Sequence, residues 1–362
     1  MKEYDYLIVG AGLTGAMAAY HYSQLGKNCL VVEKKPYVGG FCHTRRQHGI
    51  EVHKFGAHIF RTNEKRVWDF VNSICPFIPF VNQPIANYRG QLYSLPFNMN
   101  TFYTLFGAKT PSEAMSAIEN DKEFTIGKDP ENMEEAVLAI AGRKIYETLI
   151  KGYSEKQWGR PCSELPPDTM SHVPLRMTFD NNYYDVKYQG IPECGYTEFI
   201  SRLLENSDVM LRTDYFKDRK QLESLADRIV YTGRIDQFFD FCFGELEYRS
   251  VKFDEEWHPN TNNYQGVAVM NYTDNTPLYT RIIEHKHFAS SSQTSKGTIL
   301  SFEYPCLPDK NCAPIYPVRN NANINLLNAY KELASKHDNV EFVGQLADYM
   351  SYNMSHIIEK FI

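Results

Sequence analysis

The chain is 362 residues long, enough for two or three domains with cores of their own. Hydrophobic residues make up 43% and charged ones 23%, an ordinary soluble globular balance, and a net charge of −6 leaves no overall electrostatic footprint for nucleic acid. The eight cysteines show no CxxC pair and no metal-ligand spacing, and neither a signal peptide nor an apolar run of membrane-spanning length is present, so the expectation is a reduced, cytoplasmic setting without a membrane span.

The first predicted unit is complete within 40 residues. Leu7, Ile8 and Val9 suit a buried parallel strand, GAGLTG at 10–15 follows, and Ala16-Met-Ala-Ala-Tyr20 continues as a helix. Its three glycines, Gly10, Gly12 and Gly15, let the turn close, let backbone approach a pyrophosphate and let helix pack on strand. The first N–H groups of the helix then point at the phosphates. A second strand, Cys29–Val32, ends in Glu33, placed to accept hydrogen bonds from a ribose. The alternative, a glycine-rich surface turn without ligand, does not require strand, helix and acid in this order. The next stretch, Glu33-Lys-Lys-Pro-Tyr-Val-Gly-Gly40, resembles the extended fingerprint of FAD-binding oxidoreductases and amine-oxidase-like flavoproteins. That resemblance implies FAD rather than NAD, because in those proteins the extra turn lets backbone reach the second phosphate.

From about 98 to 160 the pattern is helical. Thr110-Pro-Ser-Glu113 has the residues of a helix start, and Pro130–Ala141 reads as another helix that Gly142 can end. Shorter β-like runs fill 166–190 and 235–316, such as Gly266–Met270 and Thr298–Phe302, with Ser290–Ser295 as a loop tip. Arg228–Gly233 and Val340–Gly344 read as further buried strands. The predicted fold is α/β: a discontinuous Rossmann-like FAD-binding domain (1–82, 197–235, 317–362) with an inserted helical domain (98–165) and an inserted antiparallel sheet domain (83–97, 166–196, 236–316). The insertions would wall a cleft over the flavin.

Several residues stand out from packing. Tyr153 and Trp158, in Lys151–Arg160, are rings among charges that either cap a core or stack on a ligand, and composition alone favours capping. Tyr183, in the polar turn Phe179–Tyr184, presents the same choice. Arg281 lies on the strand-like run Tyr279–Phe288, whose bland reading is a solvated edge strand. His285 and His287 would share one face of that strand, a weak metal pair, and no metal site is expected. No serine sits in a GxSxG turn, so a hydrolase is unsupported.

HKFGAHIF at 53–60, LPFNMNTF at 95–102, LIKGYSEKQWGR at 149–160, TFDNNYY at 178–184, YQGIP at 188–192 and YTRIIEHKHF at 279–288 together resemble the bacterial UDP-galactopyranose mutase family, in order along nearly the whole chain. The resemblance implies an isomerase active with reduced FAD: flavin N5 attacks the anomeric carbon, a covalent adduct forms, and the sugar recloses as a furanose without net redox. It further implies a nucleotide-sugar substrate, an external reductant, a homodimer and a furanose product used in cell-surface polysaccharide.

Matching positions imply catalytic roles for His58, Arg249 and Arg281. Substrate contacts fall to Asn82, Tyr153, Ser154, Trp158, Tyr183, Asn271, Arg281 and Tyr316, with Tyr183 stacked on uracil and Arg281 on the diphosphate. Cofactor contacts fall to Gly10, Gly12, Thr14, Gly15, Glu33, Lys34, Gly40, Phe41, His58, Ile59, Gln345, Tyr352, Asn353 and Met354. The chain departs from the family pattern at Phe41 (usually Asn), Arg61 (His), His172 (Arg), Gln345 (Arg), Ser351 (Tyr) and Asn353 (Asp). Arg61, His172 and Ser351 remain substrate-lining positions, and their change points to an alternative nucleotide sugar, UDP-N-acetylgalactosamine or dTDP-fucose. A flavin oxidase or dehydrogenase is the remaining reading.

Overall fold

The computed structural model describes residues 2–123, 129–170, 173–288, 295–309 and 312–362. Tyr4–Val9 is a strand in which Leu7 and Ile8 are fully buried, followed at once by the helix Leu13–Gln24. That helix buries Ala16, Met17, Ala18 and Ala19 between the sheet and the helices Tyr196–Leu203 and Met354–Glu359, and its three alanines let neighbouring backbones approach. The strand Cys29–Glu33 pairs parallel with the first. Three later strands complete a five-stranded parallel sheet in the order 208–211, 29–33, 4–9, 226–231, 340–342. Strands far apart in sequence therefore close one parallel sheet.

A seven-stranded sheet stands apart from it, in the order 316–317, 248–258, 298–306, 281–284, 269–272, 85–88, 91–94. Its neighbours are antiparallel except Val269–Tyr272 against Ile85–Tyr88. Tyr188–Pro192 does not join this sheet; it pairs with Phe60–Thr62 and Phe77–Pro79 in a separate three-stranded sheet that shares a hydrophobic core with the five-stranded one.

The helical region has its own core around Phe102, Val137 and Tyr146. Asn98 and Thr101 form a capping box on Met99–Phe106, Thr110 caps Pro111–Asp121 with Pro at the first position, and Asn132 caps Met133–Ala141, which Gly142 ends at φ 82°. The chain then runs through Arg143–Ile145 and a π-helical turn, Tyr146–Ile150, into the helix Lys151–Trp158.

Two expectations need correction. The run Tyr279–Phe288 is a strand only over Arg281–Glu284, and His285–Phe288 forms a 3₁₀ turn. His285 takes a hydrogen bond from the His53 amide and meets Ser301 Oγ at 2.7 Å, which bends the chain out of the sheet, so His285 and His287 do not share a strand face. The strand is also central, flanked on both sides, rather than a solvated edge. Cys75 and Cys194, 119 positions apart, form a disulfide, which the reading of the cysteines as reduced thiols did not anticipate. The loop tip Ser290–Ser295 lies outside the described residues except for its last one. Among the described residues, no helix is long and apolar enough to cross a membrane.

Candidate active site

The glycine turn is built by backbone contact. A Cβ on Gly15 would overlap the Gly10 carbonyl oxygen, and one on Gly40, at φ 54°, would lie 2.8 Å from Gly12 Cα. Gly12 and Gly39 bridge, and Gly39 N–H donates to Ala11 O at 2.9 Å, so the double glycine is laid directly on the first turn. On its other side Gly12 is open: a Cβ there would meet only Gly40 Cα within 4 Å, at 3.7 Å. Gly12 is also the N-cap of Leu13–Gln24 and brings no capping side chain, which leaves the first helical N–H groups for a ligand. Glu33 ends its strand with Oε2 accepting from Ala11 N–H at 3.0 Å and Oε1 from Lys35 N–H at 2.8 Å, so the carboxylate is held at the turn with acceptor capacity to spare. An anionic dinucleotide fits this cradle.

The other expected cofactor positions surround it unevenly. Thr14 packs against Gly344, whose Cβ would lie 2.8 Å from the Thr14 hydroxyl. Gln345 donates to Ile315 O at 2.7 Å, Tyr352 donates to Asp348 Oδ2 at 3.0 Å, and Met354 Sδ lies 3.8 Å from Cys42 Sγ. Phe41 meets Phe55 edge-on, while Lys34 and Ser351 are exposed. His172 lies outside the described residues.

A cleft of about 260 Å³ opens between the helical region and the seven-stranded sheet, and Ile59, Asn82, Tyr153, Ser154, Tyr183, Asn271 and Arg281 all line it. Two strands aim the charged part, since Asn271 is register partner of Arg281 and Arg281 of Glu303. Glu303 is fully buried and accepts from Arg281 Nε at 2.6 Å. Burial opposes the charge on Arg281, but Glu303, with Tyr153 and Tyr316 beside it, more than offsets this and holds the guanidinium protonated. Burial pushes the Tyr153 hydroxyl up to about 12 and Tyr316 up as well, and it pulls His58 down, against the Gly56 carbonyl that bonds its ring at 2.8 Å and together with nearby Arg281. These groups are neutral around Arg281 at pH 7.

The carbonyl side is equally informative. Asn82 and Asn271 each keep a buried Oδ1 without a partner, and both side chains line the cleft. Two acceptors out of water call for donors such as sugar hydroxyls. Tyr183 is 37% exposed, and its amide donates to Asn82 O at 2.8 Å, while Arg176 holds the same loop through Asn182 O and Tyr183 O. Arg249 is buried behind Tyr316, its register partner, with Nε donating to Gln157 O at 3.1 Å. Trp158 packs on the helical core and is not among the residues lining this cleft, whereas Tyr153, five residues earlier on the same helix, lines it. Arg61 does not line the cleft but stacks on Tyr184, which does.

Glu303, Arg176 and Tyr184 were not singled out from sequence. Glu303 had a usable signal: a lone carboxylate in the apolar strand Thr298–Cys306 must find a cation.

Residues 148–351 match the family model described as UDP-galactopyranose mutase, and residues 8–74 match one described as an NAD(P)-binding Rossmann-like domain. The chain is 35% identical over 364 residues to a dTDP-fucopyranose mutase of Escherichia coli, covering 98% of this chain and 96% of that protein. It is also 35% identical over 366 residues to a probable UDP-galactopyranose mutase of Klebsiella pneumoniae, covering 99% and 93%. A crystal structure of reduced UDP-galactopyranose mutase superposes with a TM-score of 0.76 over 99% of this chain and 94% of that one, at 15% identity, a likeness of fold. Matched over more than half its length by the family model and related to mutases from end to end, the chain belongs to the UDP-galactopyranose mutase family.

Proposed function

We propose that the chain is a flavin-dependent mutase that interconverts UDP-galactopyranose and UDP-galactofuranose, a ring contraction without net redox. The observation that carries this reading is Arg281, kept charged by buried Glu303 at 2.6 Å in a cleft whose other lining groups are neutral or are orphaned acceptors. Such a site binds a diphosphate and sugar hydroxyls and offers no acid–base pair of its own. The chemistry that FAD supplies when bound is nucleophilic attack at the anomeric carbon.

The residues of this chain divide the rest. Gly10, Gly12, Thr14, Gly15 and Gly40 hold the FAD diphosphate, Glu33 its ribose, and His58, Ile59, Tyr352, Asn353 and Met354 its flavin end. Arg281 neutralises the nucleotide diphosphate as it leaves, and the low dielectric of the cleft strengthens that contact. Asn82 and Asn271 accept from sugar hydroxyls, which orients the ring. Tyr183 stacks on the pyrimidine, with Ser154 and Tyr316 completing the walls and Arg249 supporting Tyr316 from behind. The reading extends to a cytoplasmic homodimer that draws on an external reductant and furnishes furanose sugar for cell-surface polysaccharide.

A second substrate, dTDP-fucopyranose, is favoured by one observation: a relative named for it is as similar to this chain as the probable UDP-galactopyranose mutase. Dithionite-reduced, FAD-loaded protein should be offered UDP-galactofuranose, UDP-N-acetylgalactosamine and dTDP-fucose, with pyranose–furanose exchange followed by chromatography. Fastest exchange of the galactose nucleotide supports the first reading, and of dTDP-fucose the second. Exchange of none, or oxygen uptake instead, sinks the mutase assignment.

A further inference from the structure

Lys156 spends its ammonium on the backbone of one hairpin. Nζ donates to Tyr272 O at 2.9 Å, Pro277 O at 3.2 Å and Tyr279 O at 2.9 Å, so all three hydrogens are used. The hairpin leads at its two ends directly into Asn271 and Arg281, which face each other in register. On the other side of the joint, the helix that carries Lys156 also carries Tyr153 and Ser154 into the cleft. The backbones touch here as well: a Cβ on Gly152 would overlap Thr273 O, and Thr273 Oγ1 donates to Thr148 O at 2.8 Å.

We propose that Lys156 is a positioning residue for the cleft: its three bonds set the spacing between the helix wall of Tyr153 and Ser154 and the hairpin wall of Asn271 and Arg281. This rests on the nucleotide-sugar reading of that cleft. A diphosphate on Arg281 and a sugar between the walls need both at once, and a shift of the hairpin by a fraction of its hydrogen-bond length separates them.

The proton on Lys156 belongs to the joint. Burial pulls its pKa down to about 8, with Asp274 opposing. Asp274 does not bond the ammonium; its carboxylate is turned to the amides of Thr276 at 2.8 Å and Arg89 at 3.3 Å, and its pKa is lowered, so it stays ionised. Tyr272 and Tyr279, the other titratable groups of the hairpin, are pushed up by burial, Tyr272 to about 12. Lys156 is thus the group at this joint that changes charge between pH 7 and 9.5, and losing its proton replaces one donor by a lone pair facing a carbonyl.

The test measures UDP affinity of the FAD-loaded parent, Lys156→Met and Lys156→Arg by calorimetry from pH 7 to 9.5, with steady-state kinetics alongside. The parent should weaken several-fold as pH passes 8. Lys156→Met should bind roughly 10-fold more weakly at pH 7.5, show no further loss up to pH 9.5, and raise KM more than it lowers kcat. Lys156→Arg, which keeps its charge, should recover most of the affinity and hold it to pH 9.5. A purely structural lysine would lower melting temperature and leave the pH profile in place. Parent-like affinity and profile in Lys156→Met overturn the proposal; if that variant does not fold, loss of affinity in Lys156→Arg at the same pH as in the parent does so. A parent that binds neither UDP nor dTDP overturns the functional reading, and this role with it.

Discussion

Arg61 and Asn353 meet across 292 positions of sequence: Nη2 of the arginine donates to Oδ1 of the asparagine at 2.6 Å. The same guanidinium lies 4.0 Å from the ring centroid of Tyr184, which lines the cleft. The resemblance marks both residues as departures from the family pattern, and the structure joins the two in one contact. Asn353 precedes the helix Met354–Glu359 and caps it with no side-chain bond, because its amide oxygen is given to Arg61. Arg61 therefore ties the start of that helix to an aromatic of the cleft wall.

Arg61→Ala should consequently cost much the same as alanine at both positions, and Asn353→Ala less, since it leaves Arg61 on Tyr184. For a charge-assisted bond of this kind the coupling in a double-mutant cycle is expected at about 1.5 kcal/mol, read from urea unfolding of FAD-loaded protein. Additive losses would mean that the bond does not form in solution.

The glycine turn gives a second, sharper contrast. Gly12 has room for a methyl group within the protein, its nearest neighbour being Gly40 Cα at 3.7 Å, whereas Gly40 has a positive φ and a 2.8 Å approach to Gly12 Cα. Gly12→Ala should leave unfolding of FAD-free protein within about 0.5 kcal/mol of the parent yet lose FAD on native purification, because the methyl group meets only the ligand. Gly40→Ala should destabilise the FAD-free protein itself, by about 1–3 kcal/mol. A Gly12→Ala protein that stays yellow would place the diphosphate elsewhere.

What the sequence made legible is local in the chain. Strand, glycine turn, helix and Glu33 follow one another, so each constrains the next, and the caps at Thr110 and Gly142 act within one turn. Of the cleft residues, Tyr153, Tyr183 and Arg281 stood out by composition without a decided role, and Asn82 and Asn271 were legible only through the resemblance, because these residues come from separate segments and no period links them. The strand-like alternation of Tyr279–Phe288 misled past Glu284, where bonds from His285 to His53 and Ser301 outweigh local preference. Trp158 and Tyr153 look alike in composition, yet only the direction each leaves its helix decides which one packs and which one lines the cleft.

Arg281 and Glu303 should separate chemistry from stability. Arg281→Ala removes the charge proposed to meet the departing diphosphate and should lower kcat/KM by about 2–4 kcal/mol in transition-state terms. Glu303→Gln keeps the shape but leaves the partly buried Arg281 without its counter-charge, and should cost about 1–3 kcal/mol of stability as well as activity. Kinetics of Arg281→Ala within a factor of about three of the parent would mean that another cation holds the phosphates.

Buried histidines should make the protein sensitive to mild acid. His53 and His285 are 1% and 0% exposed. Burial pulls the His53 pKa well down, helped by His285 and His58, and pulls His285 down to about 3, helped by Lys54. In the unfolded chain both titrate near ~6.5. Between ~6.5 and the folded values the unfolded state binds more protons than the folded one, so stability falls as pH falls. With these two counted, the slope should approach ~2.7 kcal/mol per pH unit below ~6, and His43 and His58, also lowered by burial, add in the same direction. Depressed carboxylates such as Glu284 have the same sign but act near and below ~4.5, so pH 6.5 to 5 isolates the histidines. Urea midpoints at pH 7, 6 and 5 give the slope directly, and His285→Gln should remove close to one proton from it. A midpoint unchanged from pH 7 to 5 would show that these rings are charged, or hydrated, in the folded protein.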